Sequence, residues 1–179
     1  RSSAASDVYK RQVVLSGSSA DVAAALSGTF ASAYTGNVTL TDAHTAAQLE
    51  VINNGTSGTI TLNDVSIALT GSAADVKAEL AGTFASGYTG NVTITDADSS
   101  SVAAADLSTI AGDTTGTVTV SNNINITGTA AEITTAVGDV DAFSGTPTVT
   151  LSDAHTLAQL KTINNAIAGT ITLNDYSVD

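Results

Sequence analysis

Three residue types in this chain are placed where they could do chemistry, and each of them recurs instead of standing alone. Aspartates follow apolar–threonine runs at Asp42, Asp96 and Asp153, and again at Asp64 and Asp175. Asp96-Ala-Asp98-Ser-Ser100 has the opening of an oxygen-rich calcium loop, with Asp96 and Asp98 as its carboxylates. It lacks the Gly and the distal Glu of an EF-hand, and the GGxGxDx phrase of haemolysin-type calcium coils is absent. Asp and Asn at such positions serve as turn formers and helix caps, which is the role expected here. His44 and His155 share one position in two copies of a repeated phrase, where the other copy has Asp98. A catalytic base is not expected to vanish from one copy, and no nucleophile motif, phosphate loop or metal-spaced His pair accompanies them. A loop or cap role is expected for both.

Threonine carries the third pattern. Thr-x-Thr occurs at Thr39/Thr41, Thr59/Thr61, Thr93/Thr95, Thr117/Thr119, Thr148/Thr150 and Thr170/Thr172. In a sheet covered on one side these residues line the open face, and Thr39, Thr41, Thr93, Thr95, Thr148 and Thr150 then form a possible binding face for ice or glycan. Threonine is also simply a good polar strand former, and that reading needs no ligand. Thr-x-Thr arrays of antifreeze solenoids resemble this pattern, but the resemblance is limited to the tripeptide.

The elements that must position these residues repeat too. Gly17 to Ala43 returns at Gly71 to Ala97 with six differences, an offset of 54 residues, and a diverged third copy runs from Gly128. Residues 148–165 match 38–54 closely. A fixed period of this size marks a repeat array whose units lean on their neighbours for a core. The units are set at 13–64, 65–122 and 123–175, with 176–179 opening a truncated fourth. Residues 1–12 fall outside the register. Asp7 to Gln12 can be written GAT-GTG-TAT-AAG-AGA-CAG, which resembles a transposon end used to tag DNA fragments, so 1–12 are read as a cloning scar.

Each unit reads strand, helix, strand, helix, strand. Val65 to Leu69 alternates as a half-buried strand, and Ser72-Ala-Ala-Asp75 opens a helix over 72–81. Val76 and Leu80 share a helix face, as do Val22 with Leu26 and Ile133 with Val137. Asn91 to Thr95 is the second strand, Thr45 and Thr156 begin the next helix with capping boxes, and Gly58 to Leu62 is the third strand. Asn63-Asp64 fits either a two-residue hairpin or a bend within a continuing array. Phe30, Tyr34, Phe84, Tyr88 and Phe143 are expected as core anchors. The fold class expected is an α/β, solenoid-like array with mainly parallel strands; a predominantly β array is the alternative.

Composition narrows the function. The chain of 179 residues has no Cys, Met or Trp and a net charge of −12. Residues 1–12 carry +2, so the rest holds −14, with Lys77 and Lys161 its only basic residues. Such a surface repels phosphate backbones and anionic membrane surfaces, and no apolar stretch approaches the length of a membrane span, so neither nucleic-acid binding nor membrane insertion is expected. Absent cysteine removes disulfides and thiolate metal sites. No cofactor is expected, with calcium the one candidate.

The phrases TDAHTAAQL, INN, GTITLND and SAADVKAELAGT resemble the repeat regions of very large bacterial surface or secreted proteins, including those of marine cyanobacteria. The resemblance covers nearly all of residues 13–179. It implies an extracellular or cell-surface, non-enzymatic segment that extends a larger protein outward as spacer, stalk or adhesin, its partners being neighbouring repeats of the same chain.

Overall fold

The computed structural model describes residues 14–174. Residues 1–13 and 175–179, which include the whole 1–12 leader and the 176–179 segment, lie outside the described residues. In chain order the elements are β1 (Leu15–Gly17), α1 (Ser19–Leu26), β2 (Val38–Leu40), α2 (Ala46–Gly55), β3 (Ile60–Thr61), β4 (Leu69–Gly71), α3 (Ala73–Leu80), β5 (Val92–Ile94) and β6 (Ser101–Ala103). They continue with α4 (Ala104–Asp113), β7 (Val118–Val120), β8 (Asn125–Gly128), α5 (Ala130–Asp139), β9 (Ala142–Phe143), β10 (Thr148–Leu151), α6 (Leu157–Ala166) and β11 (Ile171–Thr172). The class is α/β, and the six helices among the described residues exclude the predominantly β alternative.

The helices start where short polar side chains can satisfy the first free amides. Ser18, Thr45, Ser72, Thr129 and Thr156 each accept a hydrogen bond from the amide three residues on. Thr45/Gln48, Thr129/Glu132 and Thr156/Gln159 complete capping boxes. Only α4 begins on a residue without a capping side chain, Ala103. The apolar pairs meet the core as their spacing predicts: Val22, Leu26, Val76, Leu80, Ile133 and Val137 are all buried.

Three sheets hold the strands, in the orders β1-β2-β3, β4-β5-β7-β9 and β6-β8-β10-β11. Every strand pairing among the described residues is parallel. One step along a sheet advances the chain by about one strand–helix excursion: Leu15 faces Val38, Val38 faces Ile60, Val92 faces Val118 and Val149 faces Ile171. Each helix packs against the next, from α1 on α2 through α5 on α6. The apolar interior forms two clusters, one of first-copy residues and one running from Leu49 of the first copy through the later copies, with Leu62 and Phe84 packed against both.

Glycine permits the close stacking. A Cβ on Gly58, Gly116 or Gly169 would lie 2.2, 2.3 or 2.1 Å from the carbonyl oxygen of Gly36, Gly90 or Pro147 respectively. In each case that oxygen belongs to the preceding excursion, so the Gly-Thr phrase before a strand is a backbone-contact requirement.

Two expectations need correction. The strand expected from Val65 begins only at Leu69, because the Ser66 amide and hydroxyl both donate to Asp64 Oδ1 and hold 64–66 in a turn. That turn does not close a hairpin: Ile60 pairs with Val38 and bridges to Phe84, while Leu69 pairs with Val92. The five-element unit holds in the first copy alone. The second copy carries four more residues between Asp96 and Leu107 than the first has between Asp42 and Leu49. They supply β6, entered through Ser99 at φ 65°. The third copy likewise has two strands, β9 and β10, between its helices.

Candidate functional site

The threonines do not form one face. Thr39 stands between Ser16 and Thr61 in the first sheet, Thr93 between Thr70 and Thr119 in the second, and Thr150 between Thr127 and Thr172 in the third. Thr148 lies across from Asn125. Thr41 and Thr95 sit just past their strands, their amides donating to the carbonyls of Gly17 and Gly71. Repeat-equivalent positions are therefore split among sheets, since two steps along a sheet lead from Thr93 through Thr119 to Ala142 and stop short of Thr150. Thr148 and Thr150 also donate their hydroxyls to Asn125 Oδ1 at 3.2 and 3.1 Å.

The aspartates are brought to helix starts, though not to those that follow them. Asp42 Oδ1 accepts the Ser19 amide, Asp96 Oδ2 the Ala73 amide and Asp153 Oδ1 the Ala130 amide, each at 2.7 Å. Each donor is the first residue of the helix one excursion back, so a carboxylate meets the positive end of that helix and ties two layers together. Ser19 adds its hydroxyl to Asp42, and these two hydrogen bonds hold the Asp42 carboxyl below its ordinary pKa. Asp98 works in the other direction, its Oδ1 accepting the Asn123 amide at 2.8 Å. Asp96 and Asp98 thus reach towards opposite neighbours. Among the described residues, no three His, Cys, Asp or Glu side chains converge to hold a metal ion.

The histidines lie in loops, but they are core residues and make no cap. His44 and His155 are each 4% exposed, and neither ring nitrogen of either finds a hydrogen-bond partner. His44 meets the edge of Tyr88 at a centroid distance of 6.3 Å. Burial lowers its pKa, opposed by the charge of Asp64. Tyr88 donates its hydroxyl to the Ile67 carbonyl at 2.6 Å and packs on Phe84. Burial first, then Glu79 and Asp64, pushes its phenol up to about 12. Tyr88 fulfils the anchor role expected of the aromatics; Tyr34, Phe84 and Phe143 are half-buried, while Phe30 is 49% exposed.

Glu79 is the residue that sequence reasoning passed over. It sits on α3 where an apolar residue fits the contact with α2, and only 4% of it is exposed. Burial, then Asp75 and Glu50, pushes its carboxyl up to about 7, and its Oε2 has no partner. Asn53 of α2 donates its amide to the backbone carbonyls of Ala78 and Glu79. The signal available was the difference between copies: the place held by Glu79 is Ala25 in the first copy and Ala136 in the third. His44, Asn53, Glu79 and Tyr88 make a buried polar seam between the first two copies. Asn53 positions backbone there, and these four residues contain no nucleophile–base pair.

No family model, no curated protein and no solved structure matches this chain. Among the described residues, no helix is long and apolar enough to cross a membrane.

Proposed function

We propose that this chain is a non-catalytic structural segment in which successive strand–helix excursions stack as coils of one continuous solenoid, two coils to each repeat. The observation that carries the reading is the step between paired strands: parallel partners such as Leu15 and Val38, Leu69 and Val92, or Val149 and Ile171 lie one excursion apart throughout. Side-chain ties obey the same step, as in Asp42 to Ser19, Asp96 to Ala73 and Thr114 to Gly90. A device repeated in each copy serves layer-to-layer cohesion, and a reaction needs it only once. Parallel strands stack about 4.8 Å apart and packed helices about 8–10 Å apart, so such an array lengthens with each repeat and curves with its helices outside. Together with its acidity, its lack of cysteine and the resemblance to bacterial surface-protein repeats, this fits a spacer or stalk of a larger extracellular or cell-surface protein.

The binding-module alternative draws less support, since Asp96 and Asp98 are engaged by backbone amides and the threonines divide among three sheets. Small-angle scattering on chains extended by further copies of residues 65–122 tests the proposal. The longest dimension should grow by a constant increment of about 10 Å or more per added unit, two strand spacings at the least. Growth with the cube root of mass would reject the array.

A further inference from the structure

The parallel sheets do not span every step between helices. In chain order α1 and α2 lie between strands of the first sheet, α3 to α5 between strands of the second, and α4 to α6 between strands of the third. The second and third sheets overlap through α4 and α5. One step is left unspanned, from α2 to α3. Among the described residues, no strand pair joins residues 15–61 to residues 69–172. The backbone crosses that step through a single bridge, in which the Ile60 amide donates to the Thr83 carbonyl and the Ala85 amide to that of Ile60.

The core divides at the same place. Seven buried apolar residues of the first copy form a cluster of their own. Leu62 and Phe84 touch both clusters, and Leu49 of α2 reaches across into the larger one. The rest of the contact is polar. Asn53 donates its side-chain amide to the Ala78 and Glu79 carbonyls, and the His44 ring meets Tyr88. Asn53 Oδ1, Glu79 Oε2 and both His44 nitrogens are buried there without partners.

The charges around Glu79 give its carboxylate no support. Glu50 of α2 and Asp75 of α3 oppose it, and Tyr88, which also faces Asp64, carries no positive charge. Lys77, on the same helix, is held by Asp106 of α4 at 2.6 Å. Burial favours a neutral His44. An ionised Glu79 is thus a buried charge without a counter-ion, and it is relieved when α2 leaves α3.

We propose that the chain consists of two folding units, residues 14–62 and 69–174, which meet at the α2–α3 step and are held together by a protonated Glu79. The smaller unit has about 50 residues, a size at which a core is marginal, so it unfolds as it parts while the larger unit stays folded. Glu79 keeps its proton up to about pH 7 in the closed junction and ionises near 4.5 once open. Opening therefore becomes easier as pH rises between these values, by up to about tenfold per pH unit. His44 works in the opposite sense, since its lowered pKa favours opening as pH falls. All these pairings lie inside residues 15–172, so the division is independent of further coils at either end.

Hydrogen exchange of the full chain, read amide by amide by NMR, provides the test. The amides of Val38, Thr41 and Ile60 report on the smaller unit, and those of Val92, Ile133 and Thr148 on the larger. The first set should share one opening constant, at least tenfold larger than that of the second set. Glu79→Gln and Glu79→Ala, the latter matching Ala25 and Ala136 of the other copies, remove the titrating group. The opening constant of the smaller unit in the wild type, divided by that in either variant, should rise at least tenfold from pH 5 to pH 8. Taking the ratio at each pH cancels the contribution of His44. One opening constant common to both sets of amides overturns the division, and the wild type alone decides this. A ratio that stays flat with pH in both variants overturns the role of Glu79.

Discussion

The α2–α3 junction and the α4–α5 junction join the same pair of helix types one repeat apart, yet they are made of different matter. At the second, Leu107 and Ile110 of α4 and Ile133, Ala136 and Val137 of α5 are buried, with Ser108 Oγ the one side-chain polar atom on these two helices left buried and unpartnered. At the first, the positions of Ala111 and Ala136 are held by Asn53 and Glu79. Asn53 Oδ1, Glu79 Oε2 and both nitrogens of His44 are buried there without hydrogen-bond partners. Desolvating a polar group without a partner costs free energy that apolar contact does not return. Equivalent helices thus meet through an apolar seam in one place and through a polar one in the other. If the coils stack as proposed, each junction contributes its own increment to stability, and one polar junction is tolerated.

The largest effect should come from opening a cavity in the apolar junction. Ile133, fully buried, becomes Ala at a cost of about 2–5 kcal/mol. Chemical denaturation measures it, and a loss below about 1 kcal/mol would contradict close packing of α5 on α4.

The polar junction should respond to pH instead. Unfolded, Glu79 ionises near 4.5, and burial in the fold pushes this up to about 7. The unfolded chain therefore releases its proton first. Stability is full below about pH 4.5 and falls as pH rises to about 7, by at most about 3 kcal/mol. His44 acts in the opposite sense. Its pKa is lowered from 6.5, so the stability it supports is present above that value and is lost as pH falls. Urea midpoints from pH 4.5 to 8 should show Glu79→Gln overtaking the wild type as pH rises. A gap between the two that does not change with pH would show that Glu79 titrates as if in water.

A smaller effect should come from the ties between layers. Asp96→Ala removes the acceptor for the Ala73 amide and should cost about 1 kcal/mol, as should Asp153→Ala at α5. Calcium should leave the melting temperature of the wild type unchanged. Micromolar calcium affinity abolished by Asp96→Ala and Asp98→Ala would reverse the reading of these carboxylates as structural. Smallest of all is the helix start. Ala103→Ser gives α4 the cap its counterpart α2 already has in Thr45, and should raise stability by about 0.5–1 kcal/mol. No gain would mean that the first amides of α4 already have acceptors.

By itself the sequence determined what is local. Ser18, Thr45, Ser72, Thr129 and Thr156 mark five helix starts because a hydroxyl can reach an amide only three residues away. Val22 with Leu26 and Val76 with Leu80 name the inward faces because helical spacing puts them on one side. The repeat itself, the parallel lean of the strands and the structural use of the aspartates were legible in the same way. Tertiary structure alone decided what depends on the length of each excursion. Four extra residues in the second copy create β6, and sheet steps shorter than half a repeat divide the threonines among three sheets. It also decided that His44 and Glu79 are buried, since nothing in their own segments says which neighbour covers them. The same limit separates Leu49, sealed beneath α3, from Leu160, which is half-buried on α6. The two share one local sequence context, and burial is a property of what stacks on it.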